Sequence, residues 1–432
     1  MISLLFVFQG CAFAIDSSEL NLDFFARFND ECLKYYINTA IENNHNAKQA
    51  SYKVEQYRQQ VKYSLGKELP SFGVSANYLG VNVPKLDNFS LKQNAFILPF
   101  SANYEADFLL KNRDKTKSAE KSYEVEKYYE KAAYIALLTD VATVYTNILE
   151  YDGLVKLAEE NLQIYSKILN SDTKKYDRGI LTSESLNNSR KRVESSKNEL
   201  ENYQKQRDVL LMQLAVLTGI SPCNASDLQR GQIDSFEYSG QIPKNIESDV
   251  IFARPDVMSA EALLEKAKID VRIARKEFLP TFNITGLWIF NTIAPGRFFS
   301  WDSSLAALLA GASQDIFAGG RKIANLKSQK AKYEELFENY REVDLQAVKE
   351  VNSALCFIAH DSEIEANVLS QVNNDYENWQ SAKKKLAQGV ISLPIYLFSL
   401  STVINSQNEA VKAKTQRLVN YYTLYKAVGG KL

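Results

Sequence analysis

The chain has little of what catalysis uses. Its 432 residues include two histidines and four cysteines. His45 and His360 have no partner at metal-ligand spacing, and Cys11, Cys32, Cys223 and Cys356 are too scattered for CxxC or zinc chemistry. No GxSxG, Walker loop or GxGxxG occurs. Ala318-Gly319-Gly320 comes nearest to a phosphate cradle, but it lacks spaced glycines and reads as a plain turn. A net charge of −1 gives no sign of nucleic-acid binding. Proline (nine) and glycine (seventeen) are also scarce. Residues 109–178, 181–218 and 321–388 are almost free of both, which favours long continuous helices. The expectation is a protein without catalytic residues, metal or cofactor.

The N-terminal run through residue 14 is apolar, ends in small residues and is too short to span a membrane, so it fits a secretory signal. Two processing readings stay open. Ala12-Phe13-Ala14 is an A-x-A site with cleavage before Ile15. Gly10-Cys11 is alternatively a lipobox end that leaves Cys11 lipidated, although Phe8 stands where leucine is usual. No other 18-residue apolar run is apparent, so no transmembrane helix is expected. Cys32, Cys223 and Cys356 are expected as small packed residues, with a disulfide as the alternative.

What the chain does have is an internal repeat. Residues 43–219 align with 253–429 without a gap and share about thirty identical pairs, far above the roughly one in sixteen expected by composition. The matches include Pro70/Pro280, Phe72/Phe282, Val141/Val351, Gly179/Gly389 and Gly219/Gly429. The division is a signal segment (1–14), a first repeat (15–219), a linker (220–252) and a second repeat (253–432). Each half reads helix, strand, strand, long helix, turn, helix.

Strands are expected at about 71–83, 93–107, 281–293 and 301–315, with a first helix from Asp30 to Lys67. Strands of this length can cross a bilayer when tilted. Tyr78, Phe89, Phe100, Tyr104, Trp288, Phe290, Phe298, Phe299 and Trp301 gather near strand ends like an interfacial girdle. Two soluble hairpins packed on helices remain an equal reading at this point. The long helix from Leu110 to Tyr176 would run roughly 100 Å. Heptad columns follow at Val193, Leu200, Arg207, Leu214 and at Ser196, Tyr203, Leu210, Leu217. Arg207 and Arg417 in the seam fit a wall with one wet face. Such helices make an elongated architecture, and four strands cannot close a barrel alone, so a homo-oligomer is expected.

Ala253-Arg-Pro-Asp-Val-Met-Ser-Ala-Glu261 and Ala274-Arg-Lys-Glu-Phe-Leu-Pro-Thr-Phe-Asn-Ile-Thr-Gly286 resemble the signature of the TolC-like outer-membrane efflux channels. Phe28-Asn-Asp-Glu-Cys-Leu33 and Leu424-Tyr-Lys-Ala-Val-Gly-Gly430 are similar to the two ends of the branch that serves resistance–nodulation–division pumps. The resemblance covers about 24–430. It implies a mainly α chain with a small β part, four transmembrane strands per chain and a homotrimer with a 12-strand β-barrel. It also implies a helical tunnel in the periplasm that meets a periplasmic adaptor and, through it, an inner-membrane pump. The implied function is an exit duct for small molecules such as drugs or metals. The alternatives are a type I protein-secretion outlet or, in another class, a periplasmic coiled-coil adaptor.

By the same resemblance the glycine turns are the periplasmic tips, which makes Arg178, Gly179, Gly389 and Ser392 adaptor contacts; the plainer reading is helix-hairpin turns. Thr182, Ser183 or Ser392 can cap the helices that follow. The family often has a pore-facing Asp after the second turn. Here that place falls on Phe398, with Ile395 one turn earlier, so the implied constriction is apolar; packing between helices is the alternative. Lys383-Lys384-Lys385 and Lys174-Lys175 read as a solvated face or a basic ring. Arg254-Pro255-Asp256 is expected to cap a helix, a structural role. The exported substrate is not legible.

Overall fold

A computed structural model of the protein describes residues 20–86, 89–243, 246–292 and 301–432. The expected signal segment with Cys11, and Phe298 and Phe299 of the expected girdle, lie outside the described residues. In chain order the elements are α1 (Asp23–Ala26), α2 (Glu31–Asn43), α3 (His45–Gly66), β1 (Ser71–Val74), β2 (Asn77–Leu86), β3 (Phe89–Ala106), α4 (Lys111–Asp177), α5 (Ser183–Leu217), α6 (Ser248–Phe252), α7 (Pro255–Lys276), β4 (Thr281–Thr292), β5 (Ser304–Ser313), α8 (Arg321–Ala387) and α9 (Leu393–Ala427). Helices α3, α4 and α5 begin and end 210 residues before α7, α8 and α9. The offset is therefore a property of the backbone as well as of the residues.

The expected first helix is two. Asn44 is extended (φ −63°, ψ 125°). Its side chain donates to the Leu217 carbonyl at 2.9 Å and accepts from the Ala47 amide at 3.0 Å, so it ends α2 and caps α3.

The chain divides into two compact units that cut across the repeats. One comprises residues 1–52, 128–258 and 343–432, the other residues 53–127 and 259–342. The first is helical around an aromatic core. Phe24 stacks on Tyr425 at 4.8 Å, and Phe28 lies 4.9 Å from Tyr422 and 5.5 Å from Phe236. The segment between the repeats belongs to this core, for Ala225, Ile233 and Phe236 are buried in it. Several polar ends of the core rings find partners, as burial favours, while the buried Tyr425 hydroxyl has none among the described residues. Tyr36 donates to the Gln229 carbonyl at 2.6 Å, and Tyr145 donates to Asp30 and accepts from the Gly231 amide at 2.9 Å.

Buried Arg254 is a structural node. It donates to the Ala427 carbonyl at the end of α9 (2.7 Å), to Glu350 of α8 (2.7 Å) and to Asp256 (2.6 and 3.0 Å). Pro255 is the first residue of α7, where its missing N–H is an orphan in any case. The seam arginines are partly exposed, and each meets a carboxylate. Arg417 is held by Glu365 and by the Tyr421 hydroxyl at 2.7 Å, and Arg207 pairs with Asp152 at 3.7 Å. Each guanidinium is thus an ion pair across its helix pair. One 18-residue window of α4 has mean hydropathy 1.4, enough by composition for a span, contrary to expectation; 67% of it is buried within the protein.

The second unit holds one antiparallel sheet. Its strand order is β1, β3, β4, β5, and β2 also pairs with β3. Strands β1 and β2 are one expected strand with an interruption. Ser71↔Asn103 through Val74↔Phe100 and Asn77↔Ile97 through Val83↔Leu91 share one register. Between them Ser75 donates to the Pro99 carbonyl at 3.1 Å, but Pro99 has no N–H to return the bond. At the helix side of this sheet, Asp107 accepts from the Lys111 and Arg113 amides at 2.7 and 2.9 Å. Buried Asp114 is gripped by Arg272 and Lys276 at 2.7 Å. Burial alone would raise the Asp114 pKa, but the two cations hold it below the ordinary carboxylate value.

Candidate functional site

Residue parity organises the sheet. Paired residues across β1–β3, β2–β3, β3–β4 and β4–β5 are both even or both odd along the shared registers. Side chains alternate faces along a strand, so the even positions form one face throughout. Phe72, Val74 and Tyr78 lie opposite Ala102, Phe100 and Phe96. Phe100 and Ala102 lie opposite Trp288 and Gly286, and these lie opposite Ala306 and Leu308. Among described side chains this face is apolar from edge to edge, broken only by Ser304. The other face carries Ser71, Asn77, Ser101, Asn103, Thr281, Asn283, Thr285 and Ser313, with leucine and isoleucine toward the far end. Alternation of this kind over strands this long is the pattern of a membrane barrel wall.

Much of the apolar face is open to solvent among the described residues, although Phe290 and Ala106 on it are buried. Phe72, Tyr78 and Leu308 are 81%, 61% and 78% exposed. Of the expected girdle, Tyr78, Phe100, Tyr104, Trp288 and Phe290 share the even face. Trp301 is exposed and stacks on Trp288 at 5.9 Å. Both margins of the sheet, β1 with β2 on one side and β5 on the other, lack a partner strand among the described residues.

The two glycine turns lie in the helical unit and have the same geometry. Gly179 and Gly389 take φ of +70° and +69°. Ile180 and Val390 each donate to the carbonyl five residues back at 2.9 Å, and each glycine donates three residues back, at 2.8 and 2.9 Å. These paired bonds satisfy the last carbonyls of α4 and α8. Arg178, Gly179, Gly389 and Ser392 are all exposed, as are Ile180 and Val390, at 70% and 67%. Of the three expected capping residues, Thr182 and Ser392 take cap positions and Ser183 does not. Thr182 caps α5 by accepting from the Ser185 amide at 3.3 Å, and Ser183 is already helical. Ser392 holds the cap position of α9 without a side-chain bond.

Past the second turn, Leu397 and Ile404 of α9 are buried with Ile164 and Ile168 of α4. Ile395 and Phe398 lie outside this buried cluster, 57% and 51% exposed. The Arg192 guanidinium of α5 sits 5.5 Å above the Phe398 ring, a cation–π contact that sequence spacing did not suggest. Lys383 lies 5.7 Å over Trp379, while Lys384 and Lys385 are exposed. The three described cysteines are free. Cys32 is half-buried, but Cys223 and Cys356 are exposed and not packed. Among the described residues no cluster could hold a metal ion.

The outer membrane efflux protein model matches residues 36–220 and 248–430. The chain belongs to the outer membrane efflux protein family. It is 25% identical over 416 residues to the antibiotic efflux pump outer membrane protein ArpC of Pseudomonas putida, covering 93% of this chain and 84% of the relative. It is 23% identical over 403 residues to the cation efflux system protein CusC of Escherichia coli, covering 93% and 87%. In fold it is similar to the CmeC outer membrane channel of Campylobacter jejuni, with a TM-score of 0.88, 22% identity and coverage of 95% and 88%. The outer membrane protein VceC of Vibrio cholerae gives 0.83, at 18% identity and coverage of 95% and 99%. Family membership makes the chain an outer-membrane efflux channel with a helical periplasmic part, which sets aside the adaptor reading.

Proposed function

We propose that three copies of this chain join their sheet margins into one 12-strand barrel that spans the outer membrane and opens into a periplasmic helical tunnel. The observation that carries this reading is the largely exposed apolar face bounded by two margins that lack a partner strand among the described residues. Four strand passes are too few to close, and open apolar margins invite aggregation unless they are paired. Joining copies at these margins pairs both of them, and lipid then covers the even face. The polar residues of the odd face would line the lumen.

In this assembly the turns at Gly179 and Gly389 are the adaptor-facing tips, with Arg178 and Ser392 as contacts. Ile395 and Phe398 narrow the tunnel just inside them. The duct performs no chemistry of its own, and the energy comes from the inner-membrane pump. Relatives named for antibiotics and for cations favour a small-molecule cargo over a secreted protein and leave the choice of cargo to the pump. Native mass spectrometry of the full chain released from membranes is the test. A trimer is expected, and a monomer inserted in the membrane would overturn the closure argument.

A further inference from the structure

The carboxylates next to the sheet are all engaged, and several of the cations are not. Four ten-residue segments adjoin the strands on their helix side: 61–70, 107–116, 271–280 and 314–323. They carry ten Lys or Arg against five Asp or Glu, in a chain of net charge −1. The strands themselves hold only Lys85, Lys92 and Glu105. Each of the five acids has a partner. Glu68 accepts from the Thr116 hydroxyl, Asp107 from the α4 backbone and Asp114 from Arg272 and Lys276. Glu277 accepts from Asn325 at 2.9 Å, and Asp315 pairs with Lys322 at 3.3 Å. In contrast, Lys62, Arg113, Arg275 and Arg321 are exposed and make no ion pair among the described residues.

Exposed apolar side chains occupy the same short segments. Ile316 and Phe317 are 100% and 88% exposed, and Phe108 is 74% exposed with its ring 5.5 Å from Phe282 of the even face. Arg321 also lines a cleft of about 440 Å³ with Lys111 and Lys322 and with the partnered carboxylates Glu277 and Asp315. Free cations interleaved with exposed aromatics at the end of an apolar wall suit the water–lipid boundary. There the aliphatic stems of Lys and Arg stay in the apolar zone while their heads reach the phosphates. Ten cations against five carboxylates leave a surplus of positive charge, which is complementary to an anionic surface.

We propose that this collar seats the headgroups of anionic phospholipid in the leaflet at the helix end of the sheet. The proposal rests on the membrane-spanning reading above. Each cation near an anionic leaflet strengthens binding by about fivefold. The test reconstitutes the full chain into vesicles of phosphatidylcholine alone and of phosphatidylcholine with about a third phosphatidylglycerol. Native mass spectrometry then counts the lipids retained. Phosphatidylglycerol should be enriched at least about fivefold over its share of the vesicle. The triple variant Arg113→Gln, Arg275→Gln, Arg321→Gln should lose that enrichment, and the Lys triple should keep it because charge suffices. Equal retention of both lipids by the unmodified chain, unchanged enrichment in the Gln triple, or loss in the Lys triple would each overturn the collar while leaving the barrel standing. Failure to insert into either vesicle would overturn both readings.

Discussion

Four glycines end the four long helices in the left-handed region, and an alanine scan across them separates backbone strain from packing. Gly179, Gly219, Gly389 and Gly429 have φ between +64° and +72°. An L-residue there costs about 1–2 kcal/mol of conformational strain. At Gly179 and Gly389 an added Cβ meets nothing within 4 Å, so that strain is the whole effect. At Gly219 the Cβ would stand 2.8 Å from the Asn43 carbonyl oxygen. At Gly429 it would stand 3.0 Å from Pro255 Cδ and 3.1 Å from Arg254 Cα. Backbone and a proline ring yield little, so overpacking adds about 1–3 kcal/mol at these two positions. The expected order of loss is Gly219→Ala, then Gly429→Ala, then the two tip variants together. Amide exchange at Ile220, Gly430, Ile180 and Val390 reads each turn separately, at about tenfold per 1.4 kcal/mol. Equal acceleration at all four turns would refute the packing argument and leave strain alone.

Three further outcomes are expected. Phe398→Ala should raise single-channel conductance of the reconstituted protein, and Arg192→Gln, which frees the ring from its cation, should change it less; no change with Phe398→Ala removes that residue from the constriction. Arg254→Ala should destabilise by about 2–3 kcal/mol in denaturant unfolding, because it leaves the Ala427 carbonyl unpaired while Glu350 and Asp256, both partly exposed, recover water. Burial pushes the Glu150 carboxyl up to about 7 against the pull of Lys412. Its folded pKa thus lies above the unfolded one, so stability falls as pH rises from about 4.5 to 7. Glu150→Gln should leave stability at pH 4 unchanged and raise it at pH 8, by at most about 3 kcal/mol; a gain of equal size at both values would show that ionisation is not the cause.

Much of the candidate site was legible because its signals are local. Gly179 and Gly389 marked the helix turns because few other residues tolerate that φ. Alternation in 71–78 and 281–290 marked strands because the side-chain period is built into the backbone. The contact of Arg192 with Phe398 was not legible, since it joins residues 206 positions apart on different helices. Nor was the place of the inter-repeat segment, whose Ile233 and Phe236 are too few to signal burial before the Phe28 and Tyr145 rings surround them. The same holds for Cys223 and Cys356, where burial is a tertiary property and the residue type alone misled.

By itself the sequence determined the repeat, the extents of the long helices and the residue parity within each strand. All of these follow from periodicity, breakers and backbone preference acting over a few residues. Only the tertiary structure decided that the even positions of every strand fall on one face, because register is set between strands and a slip of one residue would invert a whole strand. It also decided that Pro99 interrupts a neighbouring strand and not its own, and that seam arginines meet carboxylates. The free cations beside the sheet, too, could be told from the paired ones only once their partners were in place. Each of these depends on which distant group occupies the space opposite, and chain order does not encode that at short range.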